Sequence, residues 1–136
     1  MTAPALTILA SLDPAAVSDL EALVHHFAPD VPADYLRLIA SGTEIEYRVG
    51  SSGYLRVWSP LGCIEMDQGY DIRSRIPGSF PFGDDGGGRF LCYAEGSNGR
   101  GVYLCGYGAI SREDLTWVTT SIESLVEDGI GLNNLE

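Results

Sequence analysis

The chain has 136 residues, the size of one ordinary domain and too short for two. Nineteen acids against eight bases give a formal charge of -11, and every base is an arginine. That balance argues against nucleic-acid binding, which needs cations to neutralise phosphates, and against an anionic membrane surface. A basic partner protein is the charge-compatible alternative. Hydrophobic residues at 45% and charged residues at 20% are ordinary for a globular domain and wrong for a disordered one. No run approaches the length of a membrane span.

The opening Ala3-Pro4-Ala5-Leu6-Thr7-Ile8-Leu9-Ala10 is mildly apolar but carries no positive flank, since the first base is Arg37. A secretory signal is therefore not expected. Residues 13–28 read as a helix, with Asp13 as N-cap and Pro14 at the first helical position. Leu20, Leu23, Val24 and Phe27 make its apolar stripe. Pro29 stops it. A second helix starts near Pro32, buries Tyr35, Leu36 and Ile39, and ends at Gly42 in a left-handed conformation. The first forty residues thus read as a helical hairpin.

The period then changes. Residues 44–49 alternate, with Ile45, Tyr47 and Val49 on one face and Glu44, Glu46 and Arg48 on the other. Gly50-Ser51-Ser52-Gly53 returns the chain into residues 54–58, where Leu55 and Val57 join the core face. Tyr54, Arg56 and Trp58 join the charged, open face of this antiparallel hairpin. Arg56 is expected across from Glu44 or Glu46.

Pro60, Pro77 and Pro81 exclude a long regular element over 59–82, leaving room for a short helix around Cys63–Gln68. Phe90–Ala94 and Val102–Tyr107 read as two strands joined by Gly-Ser-Asn-Gly, and Leu115–Thr119 as a fifth. A last helix over 121–128 takes Ser121 as N-cap, buries Ile122, Leu125 and Val126, and ends at Gly129. The expectation is one α+β domain over 1–136: helical hairpin, mostly antiparallel sheet of about five strands, C-terminal helix packed on it.

Residues 1–41 carry five acids and one base, residues 111–136 six and one, and the region between them eight and six. The acidity belongs to the helical ends. Solvated helix faces explain it without any function. If both ends pack on one face of the sheet, they form an acidic layer.

Candidate chemistry is sparse. Cys63, Cys92 and Cys105 are odd in number and lack CxxC spacing, so they complete neither a disulfide framework nor a cysteine zinc site. They read as free thiols in a reducing cytoplasm, with Cys92 and Cys105 as small strand hydrophobes. His25 and His26 are adjacent on a helix, about 100° apart, and cannot act as i, i+4 metal ligands. Both read as helix-surface residues. Pairing Cys63 with either histidine as nucleophile and base lacks any group that would activate the thiol.

Asp84-Asp85-Gly86-Gly87-Gly88 puts two carboxylates in a glycine loop, yet lacks the alternating acids and distal Glu of a calcium loop. It reads as a tight turn in which glycine supplies positive φ and aspartate caps amides. No catalytic residue, metal or cofactor is expected. What remains is aromatic: Tyr54, Arg56 and Trp58 on the hairpin, and Tyr103 and Tyr107 sharing one face of a later strand. Tyrosine, tryptophan and arginine together suit a protein interface, although alternation alone does not say which face is buried.

Four landmarks in order resemble the SUKH superfamily, which includes the fungal cell-wall regulator of the Smi–Knr type and many bacterial proteins. Val31-Pro32-Ala33-Asp34-Tyr35 is similar to its "LP-x-D/E-Y" opening, and Phe82-Gly83-Asp84-Asp85-Gly86-Gly87-Gly88 to its glycine landmark. Gly101-Val102-Tyr103 resembles its "V-Y" strand and Ser121-Ile122-Glu123-Ser124-Leu125 its closing helix. Ser41-Gly42 stands where the family usually has Asn-Gly. The resemblance implies helices packed on a strongly twisted sheet. For bacterial members it implies an immunity protein that binds and neutralises a cognate polymorphic or contact-dependent toxin.

A non-catalytic, cytoplasmic toxin inhibitor is therefore the leading expectation, its toxin basic and nuclease-like. The chain itself is expected to be a monomer or weak dimer. The alternative is a regulatory scaffold of the Smi–Knr kind. An enzyme dependent on a metal at Asp84 and Asp85 is the least supported reading.

Overall fold

The computed structural model describes residues 5–136. Its centre is one seven-stranded antiparallel sheet whose strands lie side by side in chain order. They are β1 (Leu6–Leu12), β2 (Thr43–Val49), β3 (Gly53–Val57), β4 (Phe80–Asp84), β5 (Arg89–Gly96), β6 (Gly99–Gly106) and β7 (Thr116–Thr119). The helices are α1 (Val17–Phe27), α2 (Ala33–Ile39), α3 (Pro60–Tyr70), α4 (Ile72–Arg75) and α5 (Ile122–Val126).

This corrects the expected architecture in two places. The described chain opens on a strand, not on a helical hairpin, and the sheet has seven strands rather than about five. The two unforeseen strands are β1 and β4. β1 lacks alternation because all of it after Leu6 is exposed, so its sequence carries no face signal. β4 holds Pro81, which ordinarily argues against a central strand. A register shift between Pro81 and Gly83 accommodates it, and β3 pairs with β4 only at Asp84 and Gly83. Few ladder positions therefore ask Pro81 for an N–H.

α1 starts three residues later than the Asp13 cap implied, with Ala16 at the N-cap and no side-chain bond. Asp13 serves through its carbonyl, which accepts from Thr43 Oγ1 at 2.7 Å. Gly42 does not take the left-handed conformation. Its glycine is needed for space, since an added Cβ would lie 2.3 Å from Ser11 Oγ. α3 is longer than the short helix expected, because Pro60 sits where a helix tolerates proline and Ser59 Oγ accepts from the Gly62 amide at 3.1 Å. Ser121 caps α5 in the same manner, accepting from Ser124 N at 3.0 Å.

β2 and β3 bury every second residue, as their alternation requires, whereas β4, β5 and β6 bury consecutive residues and are covered on both faces. Phe80 of β4 meets Phe27 of α1 and Tyr35 of α2 edge-on, both at 4.9 Å between ring centroids. All three rings are fully buried. Edge-on pairs of this kind add about 0.5–1.5 kcal/mol beyond the area they bury. This cluster fixes the helices on the sheet and leaves the polar face of the β2–β3 hairpin partly open.

Candidate partner-binding surface

The pairing of β2 with β3 sets Glu46 directly across from Arg56 and Arg48 across from Tyr54. Tyr54 stands between the expected ion pair. Its hydroxyl donates to Glu46 Oε1 and accepts from Arg56 Nε at 3.1 Å. The Arg56 guanidinium lies 5.8 Å from the Tyr54 ring centroid. Burial and the bond to Glu46 push the Tyr54 phenol above its usual range, with Arg56 opposing. Three half-buried side chains are thus held in one geometry before any partner arrives, which lowers the entropy cost of binding through them.

The glycine loop closes over this set. Asp84, opposite Arg56 in the β3–β4 pair, accepts Trp58 Nε1 at 2.7 Å on one oxygen and the Gly86 amide at 2.8 Å on the other. Asp85 Oδ1 accepts the Gly87 amide at 3.0 Å, and its second oxygen takes Arg89 Nε at 2.8 Å. Gly86 has φ +78, and a Cβ there would come within 2.5 Å of the Tyr54 ring. The loop Asp84–Gly88 is a capped turn laid on Tyr54.

Tyr107, just past β6, extends the surface. Its amide donates to Gly88 O at 3.0 Å, and its ring lies between Phe90 at 5.4 Å and Tyr70 at 4.5 Å. Burial raises its phenol pKa first, and the charges of Asp84 and Asp85 add to that. Beyond it opens a cleft of about 250 Å³ lined by Tyr70, Asp71, Arg75, Tyr107 and Ile110. The surface is a row of fixed tyrosine rings and arginines set among carboxylates.

Two residues expected at an open interface lie elsewhere. Trp58 is only 3% exposed. Alternation ends at Val57, and Trp58 occupies the corner where β3 turns into α3. Its amide donates to Phe82 O at 2.8 Å and its carbonyl accepts from Tyr35 Oη at 2.7 Å. Tyr103 is fully buried. Its hydroxyl donates to Gly99 O at 2.6 Å and accepts from Asn98 N at 3.0 Å, closing the β5–β6 hairpin from inside. Tyr54, Arg56 and Tyr107 remain half-buried and reachable. Tyr70 and Asp71 escaped sequence reading because the prolines around 59–82 hid the long helix that ends at Tyr70 and is capped by Asp71.

His25 is exposed, but His26 is bonded through Nε2 to Asp67 Oδ2 at 2.7 Å, a correction to its expected solvated role. Asp67 Oδ1 accepts the Arg73 amide at 2.8 Å, and Arg73 reaches both His26 O and Asp30 Oδ2. This network ties α1 to α3 and α4. Cys63, Cys92 and Cys105 are free and buried, and burial pushes each thiol pKa upward. Among the described residues no group of three or more His, Cys, Asp or Glu is placed to hold a metal ion. No described helix is long and apolar enough to cross a membrane.

Fold and surface together define an α+β protein with a meandering antiparallel sheet and a preorganised tyrosine–arginine face. A scan against protein-family models finds no match, and a search of curated proteins finds no significant relative.

Proposed function

We propose that the chain is a SUKH-type bacterial immunity protein, resident in the cytoplasm, that neutralises a cognate polymorphic or contact-dependent toxin by stoichiometric occlusion. The observation that carries this reading is the Glu46–Tyr54–Arg56 set, rigid and half-exposed beside Asp84 and Asp85. Tyrosine and arginine anchors of this kind dominate binding energy at interfaces. Among the described residues, only Nε of the Arg56 guanidinium is engaged within the chain, so the remaining nitrogens are available to a partner's carbonyls.

The formal charge of -11 supplies the second element. It steers a cationic, nuclease-like toxin and raises its association rate. Steering weakens as the Debye length falls from about 10 Å at 0.1 M salt to about 3 Å at 1 M. The test is stopped-flow association with the purified cognate toxin domain. Association should slow at least tenfold between those salt concentrations while dissociation changes much less. A salt-independent association rate contradicts the steering, and absence of any complex contradicts the reading as a whole.

A further inference from the structure

We propose that β1 is a self-association edge, pairing antiparallel with β1 of a second copy to join two sheets into one. In the strand order β1 stands at one end, and among the described residues nothing pairs with its outer side. A strand so placed offers a row of backbone donors and acceptors that template pairing with another strand. Ile8, Leu9 and Leu12 are exposed by 63%, 53% and 63%, so neither face of the strand is covered.

Edge strands are normally protected by lysine, proline or inward-pointing charge. Leu6–Leu12 contains no charged residue and no proline. This uncharged seam also selects the occupant. A basic partner strand finds no carboxylate here, whereas a second β1 meets an equally uncharged strand and brings none of the chain's nineteen acids into the pairing.

The polarity of Leu-Thr-Ile-Leu-Ala-Ser-Leu reads the same in both directions. A two-fold axis through Leu9 sets Leu6 beside Leu12 and Thr7 beside Ser11, so a single patch complements itself. The register irregularities of β1 against β2, between Ile8 and Ala10 and between Ala10 and Leu12, are the one protective feature present. They lie on the side that faces β2. A single pair of seven-residue strands is a small interface, so the dimer should form with rising concentration rather than be permanent.

Sedimentation equilibrium of the full chain from about 1 µM to about 1 mM is the test. The expected result is a monomer of 14.6 kDa giving way to a species of twice that mass. Leu9→Lys should abolish the larger species, because it sets two like charges on the axis. At about 1 µM, where both proteins are monomeric, the thermal midpoint should stay unchanged, since Leu9 is already in solvent. Thr7→Lys, away from the axis, should weaken the dimer less and guards against a folding artefact. A chain that stays monomeric throughout, or a dimer that both variants leave intact, overturns the proposal; the first result would mean that the bulges alone block the edge.

Discussion

Trp58 donates its indole N–H to Asp84 across 2.7 Å, tying the corner after β3 to the glycine loop after β4. The same carboxylate holds the Gly86 amide, so one side chain fixes both the tryptophan and the turn that lies on Tyr54. Removing it leaves a buried indole donor without a partner. Asp84→Ala should cost about 1–3 kcal/mol. Urea unfolding followed by tryptophan fluorescence reads this as a lower midpoint, and an unchanged midpoint would show that the bond contributes nothing.

Gly86 and Gly87 separate two reasons for a glycine. Gly86 has φ +78 and no room for a Cβ beside Tyr54, whereas Gly87 is exposed and not left-handed. Gly86→Ala should destabilise by about 1–3 kcal/mol, and Gly87→Ala by well under 1 kcal/mol. Equal effects of the two variants in the same denaturation experiment would contradict this placement of the loop.

The three buried thiols should resist modification in the native state. Burial raises the pKa of Cys63, Cys92 and Cys105 above the ordinary value of 9.0, which suppresses the reactive thiolate. A thiol reagent at pH 8 should count all three in denaturant and react only slowly without it. A fast native equivalent would mean that one of them is accessible.

Stability should also fall in alkali. Tyr35, Tyr47, Tyr54 and Tyr107 all have pKa values raised above 10.0, chiefly by burial, and the thiols are raised above 9.0. A raised pKa means that the folded chain keeps protons that the unfolded chain releases. The stabilisation is complete below pH 9 and is lost as pH rises through 9 to 10 and beyond. Urea midpoints should therefore decline between pH 8 and pH 11, and a flat profile would contradict the burial of these groups.

The hairpin was legible because half-buried strands write their face into the sequence: Ile45, Tyr47, Val49, Leu55 and Val57 are all buried. The same alternation set Arg56 across from Glu44 or Glu46, and the strand register makes the partner Glu46. β1 wrote no such signal, being exposed on both sides, and β4 was masked by a proline that its irregular pairing tolerates. Trp58 shows where alternation stops being a guide. It shares parity with Tyr54 and Arg56, but the strand ends one residue earlier and the corner takes it inside. Tyr103 failed for the opposite reason: β6 is covered on both faces, so parity says nothing about exposure. His26 lost its expected solvation to Asp67, forty-one positions away, a contact beyond any local pattern.

Stoichiometry tests the central claim most directly. Residual activity of the proposed cognate toxin should be measured against increasing amounts of this protein, at concentrations well above the dissociation constant. Occlusion requires activity to fall linearly and to vanish at one equivalent per toxin. Arg56→Ala, on the exposed side of the hairpin, should keep the fold and weaken inhibition at least tenfold. Full inhibition by a small fraction of an equivalent, or a toxin that stays inactive after the two proteins are separated, would contradict occlusion and point to catalytic inactivation.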